Sequence, residues 1–166
     1  MRQIFGVSKD GVFPVVYCLD QLSDVFPDCN YEIVEDVKMP STTMARCYQN
    51  ERCGFTIEIK ESIYQGAYEY QTGAFMGFIC HELCHVFLFK IGFIPIYEKS
   101  FSENKLPPYC SVEWQAKALC AEVMIPFNES RGMLQDELIE RYHVSKAFAE
   151  HRRKPGRNCP RIKKTH

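Results

Sequence analysis

The sequence lacks two features that define common classes of small cysteine-rich protein. It has nine cysteines but no C-x-x-C pair, so a structural zinc ribbon or knuckle is not expected. It also shows no export signal, because the apolar stretch at residues 12–18 is short, contains Pro14 and precedes no small-residue cleavage site. We therefore expect reduced thiols in a cytoplasmic protein and not a disulfide framework.

Long apolar runs without ionisable residues are missing as well. The longest apolar run, residues 73–89, contains two histidines and a glutamate, so no membrane span and no membrane partner are expected. Internal repeats and low-complexity segments are also absent. With 166 residues, 46% hydrophobic and 25% charged, the chain has the composition of one ordinary soluble domain.

Acidic residues are absent from the last 16 positions, which contain seven Lys or Arg. The first 150 residues carry 13 basic and 21 acidic side chains, a net charge of −8. One interpretation of the basic tail is a solvated, poorly ordered end. The other is a contact for an acidic partner or for nucleic acid.

The remaining pattern predicts an α+β fold with a small, mainly antiparallel sheet. Residues 55–60 alternate apolar and polar side chains, as in a half-buried strand, and 44–48 can pair with them across a turn near 50–54. Residues 31–37 can add a third strand. Helical patterns cover 19–26, 68–90, about 111–126 after the cap residue Ser111, 132–142 and 145–153. The predicted domains are residues 1–127 and a C-terminal helical appendage, 128–166.

The chemistry centres on His81-Glu82-Leu83-Cys84-His85, an H-E-x-x-H motif. Two histidines at i and i+4 lie one helical turn apart, so both imidazoles can reach a single zinc ion. Glu82 projects beside them and can take a proton from a water on the metal. Because the surrounding helix is otherwise apolar, burying these ionisable groups costs several kcal/mol unless a cation compensates.

The second long helix supplies the third metal ligand that zinc needs, and we predict that this ligand is Glu113. Small residues at Ala116 and Cys120 share its helical face and would let this helix lie close to the first. Glu122 is nine residues further along, points the opposite way, and is predicted to be a solvated surface residue.

HELCH followed by E-x-x-A-x-x-x-x-A-x-x-x-x-P resembles the ImmA/IrrE family of zinc metallopeptidases, over roughly residues 31–126. Arg141-Tyr142-His143-Val144-Ser145 resembles that family's R-Y-x-V-S link. The resemblance implies a compact zincin-like fold, one zinc ion per chain on His81, His85 and Glu113, and Glu82 as the general base. It also implies an endopeptidase that cleaves a repressor protein, often a helix-turn-helix repressor encoded nearby on a mobile element. Cys84 and Cys120 stand where the family commonly has Gly and Ala.

Three points stay open at this level. Cys80 and Cys84 flank the motif and are rival ligands, although we interpret them as small buried hydrophobic residues. The group that steadies the oxyanion is Tyr97, Tyr109 or His143. The alternative function is a non-catalytic binding protein that is stabilised by its metal and contacts a transcription factor or DNA.

Overall fold

The computed structural model describes residues 1–93 and 111–153, and the α+β prediction is confirmed. Within these residues eight α-helices surround a three-stranded sheet. A short 3-10 turn at Asp36–Lys38 joins β1 to the hairpin. The elements are α1 (Val15–Asp20), α2 (Leu22–Val25), β1 (Asn30–Val34), β2 (Ala45–Gln49), β3 (Phe55–Lys60), α3 (Glu61–Tyr68), α4 (Gly73–Lys90), α5 (Val112–Met124), α6 (Phe127–Ser130), α7 (Gln135–Tyr142) and α8 (Lys146–Arg153).

The sheet has the strand order β1-β3-β2, which leaves β2 at one edge. The predicted hairpin of β2 and β3 is confirmed, with Cys47 opposite Ile57. The first strand, however, runs parallel to β3, so the sheet is mixed and the expectation of a mainly antiparallel sheet is corrected. Residue alternation shows which face of a strand is apolar, but it does not encode the direction of the neighbouring strand.

More of strand β3 is buried than in the half-buried strand that the sequence predicted. Ile57 and Ile59 face the core and are fully buried. On the opposite face Thr56 donates a hydrogen bond to the side-chain oxygen of Asn30, and Lys60 donates one to the carbonyl oxygen of Pro40. These polar groups are therefore satisfied although they are buried.

Helix α4 is the central element of the core, and eight of its 18 side chains are buried. Its first residue is a glycine, Gly73, where an added Cβ atom would lie 2.6 Å from the carbonyl oxygen of His143 and 2.7 Å from the backbone nitrogen of Ser145. The helix predicted over residues 68–90 is confirmed as α4 but begins five residues later, and the preceding helix α3 was not predicted. Helix α5 packs along α4 through the buried Ala116 and Cys120.

The N-terminal segment is held by two polar clamps. The guanidinium of Arg2 donates hydrogen bonds to the carbonyl oxygens of Val123, Ser8 and Gly11. Asp10 accepts a hydrogen bond from Tyr142 at 2.9 Å and pairs with Arg141. Buried side chains from α7 and α8 join the same hydrophobic core as those of α4. The division at residue 127 stays a prediction, and residues 154–166 of the basic tail lie outside the described residues.

By length and composition α4 also meets the criteria for a membrane-spanning helix, the one helix in the described ranges that does. This observation is weak, because core helices of soluble proteins meet the same criteria. The cytoplasmic location stays a prediction.

Candidate metal centre

The two histidines of the H-E-x-x-H motif lie on the same side of α4 and point at one place. Their Nε2 atoms are 3.1 Å apart, and the two rings are nearly perpendicular. From α5, Glu113 brings one carboxylate oxygen to each: Oε1 is 3.2 Å from Nε2 of His81, and Oε2 is 3.2 Å from Nε2 of His85. The structure therefore brings together the three residues that the sequence proposed as ligands, in an arrangement that can hold a metal ion.

These distances fit a tetrahedral ion better than they fit hydrogen bonds alone. Ligands bonded at 2.0–2.1 Å to a tetrahedral zinc are about 3.3 Å apart. The observed separations of 3.1 and 3.2 Å are close to that value. If both imidazoles instead donated Nε2–H to Glu113, two N–H groups would face each other at 3.1 Å. Three converging lone pairs around one cation avoid this conflict.

The charge balance at the site keeps Glu113 ionised. Burial alone would raise its pKa, but a hydrogen bond from Lys117 and the nearby His81, Lys117 and His85 bring the pKa below its usual value. The Lys117 ammonium lies 3.0 Å from Oε1 of Glu113. Burial, and then the neighbouring His81, lower the pKa of His85 and favour the neutral imidazole. An anionic carboxylate and neutral imidazoles are the ionisation states in which these residues bind metals.

Glu82 lies in the same cleft but is not one of the three clustered ligands. Burial and the negative charge of Glu113 raise its pKa to about 7, although a backbone hydrogen bond from Cys47 opposes the shift. A carboxyl group with a pKa near neutrality can both accept and return a proton. The geometry therefore separates three residues that could hold a metal ion from one carboxyl group that could exchange a proton.

The cleft has a volume of about 590 Å³ and lies between α4, α5 and the edge strand β2. Residues 42–47 form one wall, and the metal-site residues form the floor. Phe78, Phe89 and Phe93 add aromatic surface. Because the outer edge of β2 is unpaired among the described strands, its backbone groups are available to a chain that enters the cleft.

A second, apolar pocket of about 420 Å³ adjoins the first, between α4, α5 and α8. The two share Phe78, His81 and Lys117, so they meet beside the metal site. Ala74, Ala121 and Phe148 line its apolar wall. Sequence patterns did not predict this pocket, because it depends on how α8 packs against α4.

Of the three candidates for steadying an oxyanion, His143 alone lies within the described residues. Tyr97 and Tyr109 lie outside the described residues. The side chain of His143 is exposed and does not line the cleft. Its Nδ1 atom lies 3.3 Å from Oε1 of Gln71. Sequence reasoning missed Lys117, which lines both pockets and contacts Glu113. Its position four residues after Glu113 places it on the same helical face, which is the signal that would have identified it.

Glu122 is an exposed surface residue away from the metal centre, as predicted, but it also contacts two other helices. Its carboxylate accepts a hydrogen bond of 3.1 Å from the backbone N–H of Phe127 and pairs with Arg152. The side chain of Arg152 is only 8% exposed. Glu122 therefore links α5 to α6 and α8, a role that helical periodicity alone does not reveal.

The cysteines also differ from expectation. The seven described cysteines are free thiols. Cys80 and Cys84 are buried, as predicted, but Cys120 of α5 joins them, and the three sulfur atoms lie within 4.8 Å of one another.

The chain matches no protein-family model and no curated protein sequence.

Proposed function

We propose that the protein is a zinc endopeptidase whose metal is held by His81, His85 and Glu113. The observation that carries the proposal is the convergence of both Nε2 atoms and both oxygens of Glu113 at mutual contacts of 3.1–3.2 Å. Two histidines and a glutamate leave the fourth position of a zinc ion for water or substrate. When bound, the ion polarises a peptide carbonyl and makes water acidic enough to react near neutral pH.

The proposed role of Glu82 is to move the proton during hydrolysis. Its carboxylate takes a proton from the attacking water and returns it to the nitrogen of the leaving amine, so the peptide C–N bond breaks as a new C–O bond forms. A pKa of about 7 before metal binding shows how strongly burial and Glu113 act on this group. We propose that Lys117, which lines the cleft and contacts Glu113, steadies the negative charge on the carbonyl oxygen.

The proposed substrate is an extended polypeptide. Strand β2 offers an open edge along the cleft, where a peptide can add as a fourth strand through main-chain hydrogen bonds. The adjoining apolar pocket takes a hydrophobic side chain next to the bond that is cleaved. The narrower proposal, that this polypeptide is a helix-turn-helix repressor, rests on the sequence resemblance alone.

The test uses the zinc-loaded protein and a peptide library prepared from a digested bacterial proteome with blocked amino termini. New amino termini, detected by mass spectrometry, report cleavage. We expect cleavage by the wild type, none by Glu82→Gln, and equal zinc content in both. Glu51→Gln is the matched control, because Glu51 is an exposed carboxylate outside the cleft.

Two outcomes would overturn the proposal: no cleavage by the zinc-loaded wild type, or cleavage that survives Glu82→Gln. Either result would favour the alternative, a binding protein in which the metal only stabilises the fold. If wild type and Glu82→Gln contain equal amounts of zinc, a loss of cleavage in the variant is caused by loss of the Glu82 carboxylate and not by loss of the metal.

A further inference from the structure

We propose that Cys80, Cys84 and Cys120 form a second metal site, a buried structural site for a thiophilic ion such as zinc. The site lies between α4 and α5 and is separate from the cleft. The thiols and their surroundings alone define this site, which does not depend on the proposed peptidase activity.

The geometry of the three thiols is the first support. Cys80 and Cys84 are one turn apart on α4, and Cys120 reaches them from α5, with all three sulfur atoms within 4.8 Å of one another. Zinc–sulfur bonds of about 2.3 Å in a tetrahedral site place the sulfur atoms about 3.8 Å apart. Small side-chain adjustments of each thiol are therefore enough to close the cluster on one ion.

The donor chemistry decides which ions fit. Thiolate sulfur favours zinc, Cu(I) and similar soft ions over magnesium, calcium or manganese, which prefer oxygen. Two further donors lie at the cluster: the thioether of Met1 is 3.9 Å from the sulfur of Cys84, and the carbonyl oxygen of Gly77 is 3.8 Å from the sulfur of Cys120. Either can supply the fourth ligand of a closed tetrahedral site.

Burial indicates a structural role and not a catalytic one. Cys80 and Cys84 are 0% exposed and Cys120 is 4% exposed, so an ion held among the three sulfur atoms would be almost fully enclosed by protein. Structural zinc sites have all their coordination positions filled by protein, and their binding energy adds to folding.

The position gives the site a consequence for the cleft. Cys84 directly precedes His85, and Cys120 follows Glu113 by seven residues, or two helical turns. An ion that joins the two helices at the cysteines would fix the separation of the histidines from Glu113.

The test is a titration of the reduced, metal-free full-length protein with Co²⁺ under oxygen-free conditions. Cobalt bound to thiolate gives an intense sulfur-to-metal charge-transfer band in the near ultraviolet, which imidazole and carboxylate ligands do not give. We expect two cobalt ions per chain, with the charge-transfer band accounting for one, and displacement of both by zinc. His85→Ala should keep the band while losing the other ion, so failure of the cleft site would be seen separately.

Cys120→Ser should weaken cobalt binding at the thiolate site at least about 100-fold in competition with a chelator, since it removes a direct ligand and not only an outer partner. Cys29→Ser is the matched control, because Cys29 is also buried but lies outside the cluster. Absence of the band in saturated wild-type protein would overturn the proposal even if Cys120→Ser does not fold. Unchanged cobalt affinity in a folded Cys120→Ser would overturn it as well.

Discussion

Helix α4 presents on neighbouring faces two sets of atoms that could each hold a metal ion. One face carries His81 and His85, about 20% exposed, and opens onto a cleft of substrate size. The other carries Cys80 and Cys84, which are fully buried against α5. One helix can therefore support an accessible nitrogen–oxygen site and an enclosed sulfur site, and accessibility separates a site that can react from one that can only stabilise.

The largest expected effect comes from Glu113→Ala, which should weaken metal binding in the cleft and leave the thiolate site unchanged. It removes one of three ligands from the cleft, so we expect metal affinity there to fall at least about 100-fold, while the thiolate site keeps its ion. Chelator competition with elemental analysis measures both. Glu122→Ala is the control and should keep both ions. If Glu122→Ala lost the cleft metal and Glu113→Ala kept it, the ligand assignment would be wrong.

Ala116→Leu should instead affect both faces together. Ala116 is fully buried where α5 meets α4, so three added carbon atoms must push the helices apart. We expect unfolding free energy to fall by about 1–3 kcal/mol and metal affinity to weaken at both sites. Urea denaturation measures the unfolding free energy, and metal titration measures the two affinities. Ala118→Leu is the control, because Ala118 is partly exposed. A change in only one site would show that the sites are positioned independently.

Glu122→Ala should reduce stability without affecting either metal face. It leaves Arg152 buried without its carboxylate partner and removes the acceptor for the N–H of Phe127, which should cost about 1–2 kcal/mol. Urea denaturation measures this cost against Glu51→Ala, an exposed site expected to change by less than about 0.5 kcal/mol. Equal effects of the two substitutions would contradict the structural role assigned to Glu122.

The smallest effect is expected from Asp10→Asn, and it should depend on pH. Hydrogen bonds from Arg141, the backbone of Gly11 and Tyr142 lower the pKa of Asp10 to about 2, below the value of about 3.9 in an unfolded chain. Ionised Asp10 therefore stabilises the fold above about pH 4, and this contribution is lost as the pH falls towards 2. The stability gap between wild type and Asp10→Asn should narrow over that range. If the difference in unfolding free energy between the two proteins did not change with pH, the ion pair of Asp10 with Arg141 would not be its source.

The sequence predicted the two long helices α4 and α5 and the hairpin because their evidence is local, but it did not predict α3. The spacing of His81 and His85 and the alternation in β3 are each contained within one element. The sequence also predicted that Glu113 lies near the histidines, because Ala116 and Cys120 indicated the face of α5 that can approach α4. Ligand roles for these residues stay predictions until a metal is measured.

The features that the sequence did not predict depend on contacts between elements that are far apart in the chain. The parallel direction of β1, the ion pair of Glu122 with Arg152 and the meeting of Cys120 with Cys80 each join segments at least 26 residues apart. Apolar periodicity identifies the face of an element that is buried but not the element that covers it. The thiol cluster was missed for this reason, because each cysteine on its own is an ordinary small buried residue.

The open edge of β2 has a consequence for how the protein would select its targets. A chain can pair with that edge only after it has released its own main-chain hydrogen bonds over several residues, which folded proteins do through local unfolding. When such opening is fast relative to cleavage, the rate follows the population of the open form. Susceptibility would then report the local stability of the target more directly than its sequence, and a partner that loosens a segment of the target would act as the trigger for its destruction.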